Sequence, residues 1–134
     1  MRIFRKNFIT TALALILAMG GLGITAGPAQ AAPAAACEIA NVQLTVTNWG
    51  SDGGFHAYCY SNRYVAATTA FYDSTGRQLA GQAGRTLVFA DGQWHWLTAP
   101  TNWGGVWLPV VRGCIWITLD NPGGPLLTSY CVNK

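Results

Sequence analysis

The sequence predicts an all-β protein: an antiparallel β-sandwich of Greek-key, immunoglobulin-like type, with about seven or eight short strands and two disulfides. Three observations predict it. Past the N-terminal segment, no window sustains a 3.6-residue hydrophobic period. Short runs rich in β-branched and aromatic residues alternate with Gly-, Asn- and Asp-containing turn sequences. All four cysteines follow an export signal, where disulfides are the default.

That signal comes first. Met1-Arg2-Ile3-Phe4-Arg5-Lys6 is a basic start, Phe8 to Ile24 is apolar, and Ala29-Gln30-Ala31 is a small-x-small cleavage pattern. Residues 1–31 therefore read as a secretory signal peptide. Gly20, Gly21, Gly23, Gly27 and Pro28 break the apolar run too early for a retained anchor. A lipid-modified Cys37 is disfavoured because Ala34 stands where leucine is usual and three cysteines would remain. Residues 32–36 form a flexible tail, and residues 37–134 a single domain. The expected location is extracellular, with no membrane attachment after cleavage.

Cleavage also changes the charge. The whole chain carries a formal +3. Arg2, Arg5 and Lys6 leave with the signal, so Arg63, Arg77, Arg85, Arg112 and Lys134 face Glu38, Asp52, Asp73, Asp91 and Asp120 at neutrality. Nucleic acid and anionic membranes lose their electrostatic footprint as partners.

The strands follow in order. Val42, Leu44 and Val46 alternate with polar residues, giving a strand with one wet face. Phe55 to Tyr60 and Tyr64 to Tyr72 are the next two, and Asp73-Ser74-Thr75-Gly76 is a turn. Gln78 to Ala83 is too short and too Gly-interrupted to be assigned. Arg85 to Ala90 and Gln93 to Thr98 flank Asp91-Gly92, a tight-hairpin dipeptide. Val106 to Arg112 reads as a further strand, with Pro109 placing it at an edge or a bulge. Cys114 to Leu119 and Leu126 to Val132 close the chain around the turn sequence Asp120-Asn121-Pro122-Gly123-Gly124-Pro125.

The last hairpin sets the disulfides. If Leu119 faces Leu126, then Cys114 falls opposite Cys131, within bridging reach in an antiparallel pair. Cys37 pairs with Cys59 by elimination. A zinc site in these cysteines is disfavoured, since no CxxC occurs.

Catalytic signatures are sparse. His56 and His95 are the only histidines, the five acids are scattered, and GxSxG and HExxH are both missing. No cofactor or metal is expected, and binding is the better reading than catalysis.

Tryptophan points to where binding occurs. Of six tryptophans, Trp94, Trp96, Trp103 and Trp107 crowd into "DGQWHWLTAPTNWGGVW". Trp94 and Trp96 share one strand face, and at least one of them is expected to serve the core. One core of this size houses two or three indoles, so the others should reach solvent. Trp49 and Trp103 are the leading candidates, being set in Asn/Gly loops. Thr47-Asn48-Trp49-Gly50 is echoed by Thr101-Asn102-Trp103-Gly104, but the flanks do not match, so shared turn chemistry accounts for the echo better than a duplicated recognition loop. Exposed aromatics anchor protein interfaces or stack on sugars. Arg63-Tyr64 adds an Arg beside an aromatic, so the partner-binding set is Trp49, Arg63, Tyr64, Trp94, Trp96, Trp103 and Trp107.

From Cys59 to Cys114 the chain resembles the small proteinaceous alpha-amylase inhibitors of actinomycetes, the tendamistat type. The likeness rests on a cysteine followed by a Thr/Val strand ending at Tyr72, on "FADGQW", and on a strand closing at Cys114. It implies a six-stranded sandwich with an added C-terminal hairpin, and it matches Cys37 and Cys59 to that family's first disulfide. The family's inhibitory Trp-Arg-Tyr lies between its first two cysteines. Here that interval holds Thr47-Asn48-Trp49-Gly50, and the nearest equivalent is Asn62-Arg63-Tyr64.

These readings predict a secreted, non-catalytic bacterial β-sandwich that binds a protein. It would inhibit a secreted hydrolase or serve as an adaptor subunit of an extracellular complex, such as an antibacterial toxin particle. A carbohydrate-binding module using the exposed tryptophans, with a polysaccharide as partner, is the alternative.

Overall fold

The computed structural model describes residues 35–100, 103 and 105–134. The predicted signal peptide and the start of the tail lie outside the described residues, as do Thr101, Asn102 and Gly104 of the second loop. Ala35–Lys134 is one compact unit.

Seven strands are present among the described residues: β1 (Cys37–Val46), β2 (Ser51–Cys59), β3 (Arg63–Tyr72), β4 (Gln78–Val88), β5 (His95–Thr98), β6 (Arg112–Leu119) and β7 (Leu126–Asn133). They form two antiparallel sheets, in the orders β1-β2-β5 and β4-β3-β6-β7. Hairpins join β1 to β2, β3 to β4 and β6 to β7, and the other three connections cross between sheets. In immunoglobulin lettering this sets A-B-E against C′-C-F-G, the fold class predicted.

The core follows from strand alternation. Phe55, Ala57 and Cys59 of β2 and Leu44 and Val46 of β1 point inward. They meet Val65, Ala67 and Phe71 of β3 and Ile115 and Ile117 of β6. One irregularity makes this possible. Cys37 and Ile39 face the core at odd positions, whereas Val42, Leu44 and Val46 face it at even ones. A bulge between Ala40 and Gln43 absorbs the extra residue, with Asn41 in the left-handed region at φ 52°. Without it, a one-residue slip would turn half the strand inside out.

Both disulfides link directly opposed residues, Cys37 with Cys59 and Cys114 with Cys131, each at a Cα separation of 4.1 Å. The predicted pairing holds although its anchor does not. Leu126 opposes Thr118 rather than Leu119, and a bulge restores the expected register from Ile117 to Arg112. Leu119 instead donates its N–H to Pro125 O at 2.9 Å, and Asp120 turns the chain at φ 66°.

Three local expectations are corrected. Gln78 to Ala83 and Arg85 to Val88 both lie in the continuous β4, which pairs with β3 along its length, while Phe89 and Ala90 lie beyond its end. Asp91-Gly92 does not close a hairpin. Its Asp91 Oδ1 accepts from Gln93 N–H and contacts His95 Nε2, and the chain swings to the other sheet, where β5 pairs with β2. Val106 to Val111 is not a strand. Pro109 has no N–H, Val110 N–H bonds back to Leu108 O, and the other backbone bonds run singly, from Leu108 N–H to Asn48 O, Val111 N–H to Tyr72 O and Lys134 N–H to Val111 O. The segment caps the end of the sandwich, with Val110 buried.

Candidate binding face

β2 supplies the centre of the site. Because Phe55, Ala57 and Cys59 are buried, Gly54, His56 and Tyr58 face outward by the period of two. β5 lies beside β2 with Trp96 opposite His56 and Thr98 opposite Gly54. Glu38, Ala40 and Gln43 of β1 flank the other side, opposite Tyr58, His56 and Gly54. The outer face of the three-stranded sheet is thus an aromatic surface rather than the wet face that alternation alone suggests.

Its rings interlock. Trp96 meets His56 at 5.0 Å and 64°. Tyr58 meets Trp94 at 5.6 Å and 46°, and Tyr60 at 5.2 Å and 76°. These are edge-on and tilted contacts of the kind aromatic pairs prefer. A Cβ on Gly54 would fall 2.8 Å from Cε2 of Trp96, so the indole rests directly on the glycine. Trp94 and Trp96 remain 46% exposed and Tyr60 59%. His56 Nδ1 is buried without a hydrogen-bond partner among the described residues.

The rim is polar. Tyr60 Oη donates to Glu38 Oε1 at 2.8 Å, and this bond to the carboxylate pushes the phenol pKa up. Away from this face, at the entry to β5, Asp91 holds His95 Nε2 at 2.8 Å, and that hydrogen bond holds its carboxyl below the usual aspartate range.

The structure divides the seven predicted residues among four places. Trp94 and Trp96 share the aromatic face. Neither enters the core, contrary to expectation, because β5 turns His95 and Leu97 inward opposite Ala57 and Phe55. Trp103 is corrected too: it is no exposed tip but is half-buried against the core, 4.7 Å from Phe71, with Nε1–H donating to Val106 O at 3.0 Å. Its echo partner Trp49 is 62% exposed in a turn where Thr47 Oγ1 accepts from the Trp49 and Gly50 N–H groups. Trp107 lies nearby, since Asn48 and Leu108 tie the two loops by Asn48 Nδ2–H to Leu108 O and Leu108 N–H to Asn48 O, both 2.8 Å.

Arg63 and Tyr64 sit on the other sheet and are already engaged. Arg63 makes a two-pronged bond to Asp120 at 2.9 and 2.5 Å, which holds the Asp120 carboxyl below its ordinary range. Arg85 lies 4.6 Å over the Tyr64 ring and donates to Asn121 Oδ1. These contacts fasten the β6–β7 turn.

Sequence reasoning missed His56, Tyr58, Tyr60 and Glu38. The alternation of His56 and Tyr58 with Phe55 and Ala57 was the available signal. Its meaning depended on β5 pairing with β2 rather than with β4.

All four cysteines are bridged, as is typical of extracellular proteins. No group of three His, Cys, Asp or Glu suited to a metal occurs among the described residues.

No family model and no curated protein matches the chain. Among solved structures, it is similar to part of a beta-glucuronidase from glycoside hydrolase family 2, at TM-score 0.43 and 14% identity over 70% of this chain and 10% of that one. It is likewise similar to part of a protein described as a beta-galactosidase from Bacteroides fragilis, at TM-score 0.38 and 12% identity over 70% and 15% of the two chains. The chain spans a small fraction of either protein.

Proposed function

We propose that this is a secreted, non-catalytic β-sandwich that docks onto another protein through the outer face of its three-stranded sheet. The observation that carries the reading is the row of outward rings along β2 and β5: Trp94 and Tyr60 each in contact with Tyr58, and Trp96 against His56 beside them. Three half-exposed rings, Trp94, Trp96 and Tyr60, with the more buried Tyr58 between them, present on the order of 400 Å² of apolar surface, the scale at which a patch on a monomer marks an interaction site. Glu38, Gln43, Asp52 and Thr98 surround it, giving the apolar centre and polar rim of a standard interface. The tilt between rings favours a protein, whose side chains can fill the notches between them. A polysaccharide chain is better served by coplanar rings. A sheet face rather than a projecting loop also suits an adaptor subunit of an extracellular complex better than an inhibitor that inserts a loop into a cleft.

The distribution of acids supports a non-catalytic role. Glu38 bonds Tyr60, Asp73 bonds Thr75 and Arg77, Asp91 bonds His95, and Asp120 bonds Arg63. Asp52 is the one acid without a side-chain bond among the described residues, and acid–base hydrolysis of a glycoside needs two carboxyls.

A second reading has one observation behind it: Trp96, laid over Gly54, can offer an indole face to a sugar. The test separates the two. The tagged chain is recovered from its native culture medium, and the same preparation is passed over cellulose and chitin. The expected result is a single stoichiometric protein that Trp96→Ala and Tyr60→Ala each lose, with hydrogen-exchange protection on β2 and β5 in the complex. Retention on a polysaccharide that Trp96→Ala abolishes would overturn the protein-docking reading.

A further inference from the structure

The opposite face of the sandwich holds a second feature, unrelated to the aromatic patch. Three rows of side chains cross the outer face of the four-stranded sheet. Register places Tyr72, Arg112 and Asn133 in one row, Ala70, Cys114 and Cys131 in the next, and Thr68, Trp116 and Ser129 in the third. The middle row is low, consisting of a methyl group and a disulfide lying against the sheet. The outer rows stand high, with a guanidinium, a phenol and a carboxamide on one side and an indole on the other. At about 3.3 Å per residue the two high rows lie roughly 13 Å apart. The result is a trough of about 570 Å³ lined by Tyr72, Arg112, Cys114, Trp116, Cys131 and Asn133.

Arg112 gives the trough its chemistry. Arg63 is paired with Asp120, Arg77 with Asp73, and Arg85 with Asn121 and the Tyr64 ring. Arg112 alone of these arginines has neither an ion pair nor a side-chain hydrogen bond among the described residues. Asp73, an acid that also lines the trough, is already committed. Its Oδ1 accepts from Thr75 N–H, Thr75 Oγ1 and Arg77 N–H, and Oδ2 faces Arg77 Nε at 3.3 Å. A guanidinium is a rigid fork matched to a carboxylate. Trp116, half-buried and free of ring contacts among the described residues, supplies a wall against which a ring can lie.

We infer that this trough is a second binding site, taking a small ring that carries a carboxylate. The ring lies on the Cys114–Cys131 disulfide beside Trp116, the carboxylate engages Arg112, and Asn133 and the Tyr72 hydroxyl bond its polar edge. Two sources share this chemistry: a uronic acid unit of an acidic polysaccharide, and a free aromatic acid.

NMR titration distinguishes them. Galacturonate and benzoate are added separately to the folded protein while the Arg112 Nε–H and Trp116 Nε1–H resonances are followed, with galactose and benzyl alcohol as uncharged controls. The expected result is saturable shifts of both resonances with one acid or both, at Kd on the order of 1 mM. The affinity should fall at least about tenfold in Arg112→Met, which keeps the aliphatic stem, and the uncharged controls should not bind. A response to galacturonate alone assigns the uronic acid, a response to benzoate alone the aromatic acid, and a response to both the shared carboxylate ring. Silence of both resonances toward both acids overturns the inference, as does undiminished binding by folded Arg112→Met. Trp96→Ala should leave these titrations unchanged, so failure here is distinct from failure of the docking face.

Discussion

Trp96 rests on Gly54: the indole occupies the space that a β-carbon on the neighbouring strand would need. This contact couples a backbone choice on β2 to the shape of the docking face. Gly54→Val must lift the indole or shift β5, an edge strand of four residues. We expect a loss of about 1–3 kcal/mol in urea denaturation, the usual cost of overpacking, together with loss of partner retention. Trp96→Ala should abolish retention while costing only about 1 kcal/mol, because the ring is half-exposed and packs on an outer face.

The two echoed loops should respond oppositely. Trp103 packs on Phe71 and bonds Val106 O, so Trp103→Ala is expected to cost about 3 kcal/mol. Trp49 projects from its turn, and Trp49→Ala should stay within about 0.5 kcal/mol of the parent. Equal effects in the two variants would contradict the different placements of the rings.

This contrast shows what the residues could and could not reveal. The sandwich and both disulfides were legible because alternation and turn chemistry are local, and because cysteines in one hairpin constrain each other. The Cys114–Cys131 prediction survived a wrong anchor since the bulge near Leu127 displaced only the turn end of the ladder. The site was less legible. Trp94 and Trp96 were named, but Tyr58, His56 and Tyr60 joined them only through the pairing of β5 with β2, a relation between strands with β3 and β4 between them in the chain. Asp91-Gly92 carries the chemistry of a hairpin turn, yet sheet packing decided which strand β5 would join. Loop sequence also says nothing about what fills a gap at the end of a core, and Trp103 went there.

The two disulfides should contribute nearly independently, since each staples a different sheet. Their sequence separations are 22 and 17 residues, for which the loop-entropy model gives about 3 kcal/mol each. Replacing Cys114 and Cys131 by Ala should lower the melting temperature by roughly 10 °C or more. Replacing Cys37 and Cys59 should cost more, because both are buried in the core whereas Cys131 is exposed. Calorimetry of the two double variants checks the order.

Acid should weaken the fold at three aspartates. Asp73, Asp91 and Asp120 are each held below the ordinary aspartate value, chiefly by hydrogen bonds from Thr75, His95 and Arg63 respectively. A carboxyl whose pKa is lower in the folded state stabilises above its unfolded value of about 3.9 and loses that contribution as pH falls through the folded value. Stability set by these groups should therefore be level near neutrality and decline below about pH 4. Arg63→Gln removes the main cause of the Asp120 shift. Its urea midpoint should drop at neutral pH, yet converge on the parent's as pH falls through the folded Asp120 value. Tyr60 works in the opposite sense. Its bond to Glu38 raises the phenol pKa, so that contribution is present below about pH 10 and fades as pH rises through the folded value. Tyr60→Phe should accordingly flatten the alkaline limb, and urea midpoints across the full pH range test both the acid and the alkaline expectations.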